Sequence, residues 1–160
     1  MSLLVVRGVW GVYRPPVDEL PDNADAVVVF SGEIKRTELA LQLMEGGLSD
    51  ILVLSLGELD PTGKSLCGQS EPFVVLCPRP DTADTRGEAR MFGELAKDNG
   101  WTSLIAVTGD YHAQRARLRL SRCYGGDLAF ATVEWGTPRS QLVRRETLGY
   151  LEAQLLERGC

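Results

Sequence analysis

The chain has one histidine, His112, and Arg115 follows three residues later. On the first turn of a helix this spacing puts both side chains on one face. A single ligand could then meet an imidazole able to move a proton near neutral pH and a guanidinium suited to clamping an anion. Asp110, one step before Tyr111, reads as the N-cap of that helix or as a further ligand contact. A second group, Thr82, Thr85 and Glu88, precedes another expected helix. Thr85 and Glu88 fit a capping box, in which hydroxyl and carboxylate satisfy the free amides of the first turn. The same helix start offers amides and a positive dipole end, so Thr82 and Thr85 could equally hold phosphate or carboxylate oxygens. A third group is Ser31, Gly32 and Arg36, where the arginine is either an anion clamp or a solvated surface residue.

Ser31, Asp110 and His112 supply the residue types of a hydrolytic triad. However, Ser31-Gly32-Glu33 is not a nucleophile elbow, and Asp110 is too close in sequence to His112 to stand behind its ring. Phosphoryl or glycosyl-phosphate chemistry, with His112 as acid/base and Arg36 and Arg115 as charge clamps, remains physically reasonable. The Gly-x-Gly-x-x-Gly dinucleotide fingerprint is absent, which disfavours a standard nicotinamide enzyme.

Positioning these groups requires strands that end just before them. Continuous apolar runs at Asp25–Phe30, Ile51–Leu56, Phe73–Cys77 and Leu104–Val107 have the pattern of strands buried on both faces, and a last strand is expected near Leu128–Val133. Between them, helices are expected at about 33–45, with Ile34, Leu39, Ala40, Leu43 and Met44 as the apolar stripe, at about 85–99, and at about 111–123. A closing helix from Gln141 to about Leu156 aligns Leu148, Leu151 and Leu155. The alternation predicts an α/β fold of three layers, doubly wound on a mostly parallel, Rossmann-like sheet. In such a sheet ligands bind outside the carboxyl ends of the strands, where all three groups of residues would lie.

The 160 residues form a single expected domain, with 1–23 as N-terminal segment and connector and 24–160 as the core. The apolar opening Met1–Tyr13 reads as a first strand or docking segment; it is too short for a membrane span and lacks a signal-peptide design. The proline-rich stretch from Arg14 to Asn23 is the connector. Gly57–Pro72 reads as a long loop, either a lid or a tolerated insertion. A net charge of −5 disfavours nucleic acid as a partner. Lysine occurs only at 35, 64 and 97, so most of the positive charge is arginine, the better residue for bidentate anion recognition. Four scattered cysteines and a single histidine leave a zinc site without ligands. Cys77 and Cys123 read as small core residues and Cys160 as an exposed free thiol, a usage that suits a reducing cytoplasm. Arg117, Arg119 and Arg122 read as solvated.

Three segments together resemble the YdcF, SanA and ElyC-like proteins, which share a domain of unknown function. Asp25–Gly32 followed by Arg36 is similar to that family's opening strand and turn, and Thr82–Glu88 to its Ser/Thr-x-x-Thr segment. Val107–Ala116, with Tyr111-His112-x-x-Arg115-Ala116, is similar to its Tyr/Phe-His-x-x-Arg-Ala motif. The Gly-rich turns usual in the family are reduced here to Ser31-Gly32 and Ser55-Leu56-Gly57, and the N-terminal anchor of many relatives has no counterpart. The resemblance implies a small anionic or nucleotide-like ligand held by Ser31, Gly32, Arg36, Thr82, Thr85, Glu88, Asp110 and Arg115 about His112, with S-adenosylmethionine as one candidate cofactor. A non-catalytic metabolite sensor and a partner-binding module are the competing expectations. The sequence assigns no oligomeric state.

Overall fold

The computed structural model describes residues 2–14, 17–57, 61–70, 72–136 and 140–160. Five strands, β1 (Ala26–Val29), β2 (Ile51–Leu54), β3 (Val74–Leu76), β4 (Ser103–Gly109) and β5 (Asp127–Val133), form one sheet in the order β3-β2-β1-β4-β5. Every neighbouring pair is parallel. The sheet is therefore all parallel, and the chain reverses its winding between β1 and β4, where a crevice opens at the carboxyl ends. Asp25 fixes this junction at the opposite end. Its carboxylate accepts hydrogen bonds from the backbone N–H groups of Thr102 (2.6 Å) and Ser103 (2.9 Å) and from both hydroxyls. These bonds hold its pKa below the usual aspartate value.

The period of two along each strand divides the core. Ala26, Val28 and Phe30 of the first strand and its exit point to one side, with Val53, Leu104 and Ala106, against Phe92, Ala116 and Leu120. Val27, Val29, Leu54, Ile105 and Val107 point to the other, against Ala40 and Met44. The first side is covered by α4 (Thr85–Asn99) and α5 (Asp110–Cys123), the second by α2 (Ile34–Glu45). This is the three-layer, Rossmann-like arrangement expected from the alternation of elements.

Several local expectations change. The opening segment is helix α1 (Leu3–Tyr13), not a strand. It docks on α5 and on α6 (Ser140–Leu155) through Gly8, Gly11 and Val12. The valine content suggested a strand, but buried positions three and one apart describe one helix face. Its bulky residues Leu3, Trp10 and Tyr13 stay exposed. Within the expected loop lies a short helix, α3 (Pro61–Leu66), whose end is tied to the exit of β3 by a Cys67–Cys77 disulfide. Residues 58–60 and 71 of that loop, and Pro15 and Pro16 of the connector, lie outside the described residues.

A second disulfide joins Cys123 to Cys160, so Cys160 is no free thiol; Cys77 and Cys123 do pack half-buried against the core, but as members of disulfides. On α2 the inward face carries Arg36 and Thr37 with Ala40 and Met44, and Ile34 is exposed. The closing helix α6 turns Glu146, Thr147, Tyr150 and Ala153 inward, while Leu148 and Leu155 face out. Nor are three arginines of α5 freely solvated. Arg117 pairs with Asp18, Arg119 is buried against Glu157, and Arg122 donates to the carbonyl oxygens of Ala153 (2.6 Å) and Glu157 (2.9 Å).

Candidate functional site

Four segments meet at the winding reversal: the exit of β1, the starts of α4 and α5, and the first half of α6. Among them lies a polar crevice of about 260 Å³, lined by Ser31, Arg36, Thr85, Glu88, His112 and Arg115, with Ala83, Asp84, Tyr111 and Arg145 completing the wall. The amino ends of two helices converge there, and their dipoles favour negative charge.

Thr85 does not cap α4. Asp84 occupies the N-cap position and accepts a hydrogen bond from the Gly87 N–H at 2.8 Å. This corrects the capping-box reading and leaves both of its residues available to the site. The Thr85 hydroxyl lies 3.0 Å from Nε2 of His112 and accepts a hydrogen bond from Arg115 Nη1, also at 3.0 Å. Glu88 turns away from the helix start and accepts from the Ser31 N–H at 2.7 Å. Burial pushes its carboxyl above the usual range. The Ser31 N–H and hydroxyl, the Ser55 hydroxyl and the Arg36 charge oppose that shift without cancelling it.

His112 is buried between two hydroxyls, with Thr108 Oγ1 2.8 Å from Nδ1 and Thr85 Oγ1 at Nε2. The Arg115 bond uses one Thr85 lone pair and leaves its proton free to point at Nε2. In that arrangement Nδ1 carries the ring proton and donates to Thr108. Burial holds the imidazole pKa well below its ordinary value, and the positive charges of Arg115, Arg36 and Arg145 act in the same direction. A neutral imidazole is the form that can accept a proton.

The Arg36 guanidinium, on the first turn of α2, reaches back to the carbonyls at the exit of β1. Nη1 donates to Phe30 O at 3.2 Å and to Ser31 O, and Nη2 donates to the Tyr111 hydroxyl at 3.0 Å. Gly32 permits this path: its φ is +140°, and a Cβ there would stand 2.9 Å from Arg36 Nη1. Arg36 is 6% exposed, yet it forms no ion pair among the described residues. Arg115, in contrast, is neutralised. It grips the buried Glu146 carboxylate with two hydrogen bonds, Nε to Oε2 at 2.9 Å and Nη2 to Oε1 at 3.1 Å. Arg145 also contacts Glu146, at 3.4 Å, but is largely exposed at the rim.

The structure thus brings Ser31, Arg36, Thr85, Glu88, His112 and Arg115 to one crevice, with Gly32 just behind Arg36. Two expected residues stand apart. Thr82 is exposed, with its hydroxyl 3.3 Å from Asp84 Oδ1 and its backbone packed under Gly87. Asp110 is the first residue of α5, behind an N-cap at Gly109, and accepts from the N–H groups of Tyr111 (2.6 Å) and Trp135 (3.2 Å). It secures the chain after β5 rather than facing the crevice.

Tyr111, Thr108, Ser55, Arg145 and Glu146 also belong to the site or its support, beyond the residues expected there. Thr108 and Tyr111 flank His112 at a strand exit and could have been nominated on position alone. Glu146 carried no comparable signal, because its partner Arg115 lies 31 residues away on another helix. Comparison of the chain with protein-family models, with curated proteins and with solved structures found no match.

Proposed function

We propose that the chain is a YdcF-like domain that binds a small anionic ligand, a phosphate ester before any other, in the crevice between the exits of β1 and β4. The observation that carries this reading is Arg36, a buried guanidinium held by two carbonyls and a phenol but without an ion pair among the described residues. Glu88, the carboxyl that feels the Arg36 charge, makes no ion pair with it and is itself pushed toward its neutral form by burial; a buried cation without a contacting counterion costs several kcal/mol, as an order of magnitude, and a bound anion offsets that cost. Arg145 at the rim and the two helix starts add to the attraction. The same charges disfavour S-adenosylmethionine, whose sulfonium is itself positive. A nucleotide phosphate remains compatible.

Catalysis on such an ester would use His112 as general base. A water or hydroxyl attacking phosphorus passes its proton through the Thr85 hydroxyl to Nε2, while Thr108 holds Nδ1 and fixes the ring; the P–O bond to the ester oxygen breaks, and the departing alcohol recovers a proton from the imidazolium or from water. The arginines receive the charge that develops on the phosphoryl oxygens. A non-catalytic sensor has the same crevice and differs only in lacking turnover. The two disulfides favour an oxidising compartment over a reducing cytoplasm.

The test is a thermal-shift series with inorganic phosphate, phosphate esters, nucleotides and S-adenosylmethionine on the wild type and on Arg36→Gln. A ligand at a hundred times its Kd stabilises by about 2.7 kcal/mol, which for a chain of this size raises Tm by roughly 5–10 °C. Stabilisation by phosphate compounds that Arg36→Gln abolishes supports the reading; an equal shift in the variant, or none in either protein, rejects it. Turnover lost with binding retained in His112→Ala identifies an enzyme rather than a sensor.

A further inference from the structure

The polar crevice adjoins a larger cavity of about 820 Å³. Asp84, Thr85, Arg115 and Arg145 line both, so the depression has one charged end. Its far end is walled by Leu148, Leu151, Leu155 and Leu156. The first three recur at intervals of three and four on one face of α6, the pattern with which a helix ordinarily seals a core. Here that row is turned outward: Leu148 and Leu155 are 55% and 49% exposed, and the inward face carries Glu146 and Thr147 instead. A row of leucines left uncovered beside a crevice that holds the unpaired Arg36 calls for an occupant that is apolar along its length and anionic at one end.

The groove is preformed. Arg119 and Arg122 hold Glu157, the Cys123–Cys160 disulfide ties the chain end to α5, and together they fix the end of α6 at Leu155 and the turn at Leu156 that follows it. At the other end Gly149 lets Arg115 pass, since a Cβ there would stand 2.9 Å from its Cδ. Charge and shape together select the occupant. An anion at the arginines with an aliphatic chain along the leucines matches both ends. A nucleoside does not suit the leucine end, where no aromatic side chain among the described residues is available to stack a base and Glu152 is the main polar group.

We infer that the ligand is a phosphate monoester of a long aliphatic alcohol, with its phosphate at Arg36 and Arg145 and its chain in the groove along α6. The inference rests on the anion reading above and names the class of ester. It is tested by titration calorimetry of the full chain, without reductant, with inorganic phosphate and with methyl, butyl and octyl phosphate kept below micellar concentrations. Affinity is expected to rise about twofold to fourfold for each methylene the groove buries, with a heat-capacity change that grows more negative along the series. Leu148→Gln, at a half-exposed position that tolerates a polar residue, is expected to flatten the dependence on chain length.

Equal affinity for methyl and octyl phosphate overturns the inference while leaving the anion site standing. Octanol binding as tightly as octyl phosphate, with no response to inorganic phosphate, overturns both. A wild-type dimer in light scattering that Leu148→Gln converts to monomer, with no effect of chain length in either form, assigns the leucine row to a second copy of the chain and also overturns the inference.

Discussion

The Thr85 hydroxyl stands 3.0 Å from His112 Nε2 and takes a hydrogen bond from Arg115 Nη1 at the same distance, so one oxygen links the imidazole to the charged wall of the crevice. Thr85→Val keeps the shape and removes both bonds. Leaving a buried imidazole nitrogen and a guanidinium N–H unsatisfied costs about 1–3 kcal/mol each at most. Chemical denaturation should therefore find Thr85→Val less stable by an amount in this range, and Thr85→Ser close to wild type. If the protein turns over a phosphate ester, the serine variant retains that activity and the valine variant loses it.

Stability should fall with acid in a way that His112 accounts for. Burial, reinforced by Arg115, Arg36 and Arg145, holds its folded pKa well below 6.5. Below pH 6.5 the unfolded chain therefore binds a proton that the folded chain refuses, so the stabilisation is complete above that pH and declines below it. The slope reaches at most about 1.4 kcal/mol per pH unit. Glu88 works in the opposite sense, because its folded pKa is raised above 4.5 and stability declines as pH increases through that window. Denaturation curves between pH 5 and 8 are expected to lose slope in His112→Asn and to steepen in Glu88→Gln.

The main lines of the fold were legible because they depend on local periodicity. The run through Val27, Val28, Val29 and Phe30 is apolar at every position, which only a strand covered on both faces requires, and both faces are indeed covered. The site was legible only in part, because position along the chain locates strand exits and says nothing of which way a side chain turns. Thr85 and Glu88 satisfied the pattern of a capping box, yet Asp84 one residue earlier took the cap and released them. On α6, Leu148, Leu151 and Leu155 had the spacing of a core stripe, but the Arg115–Glu146 pair turned the opposite face inward. Pairs made across distant segments, such as Cys123 with Cys160, leave no mark in periodicity.

Those disulfides should contribute unequally. Their cysteines are 10 and 37 residues apart in sequence. Chain-entropy reasoning assigns about 3 kcal/mol to the shorter loop and about 4 kcal/mol to the longer. Paired Cys→Ser variants compared by denaturation should follow that order. Alkylation of the unfolded wild type without reductant should modify no thiol, and modification of all four cysteines would remove both bridges and the case for an oxidising compartment.

Arg115 gives the sharpest prediction, because its partner hides its charge. Glu146 is 2% exposed and takes two hydrogen bonds from the Arg115 guanidinium. Glu146→Gln preserves the shape and one acceptor but leaves the cation without its carboxylate. Breaking a buried pair from one side costs about 3–5 kcal/mol, and the partial exposure of Arg115 places this case toward the lower end. The same change unmasks a positive charge beside Arg36 and Arg145 in the crevice. Phosphate should therefore bind the less stable variant about tenfold more tightly, as expected for about 1.4 kcal/mol of added attraction, and raise its Tm by more than it raises that of the wild type. A variant that is destabilised but gains nothing from phosphate would confine Arg115 to holding α6 in place and leave anion recognition to Arg36 and Arg145.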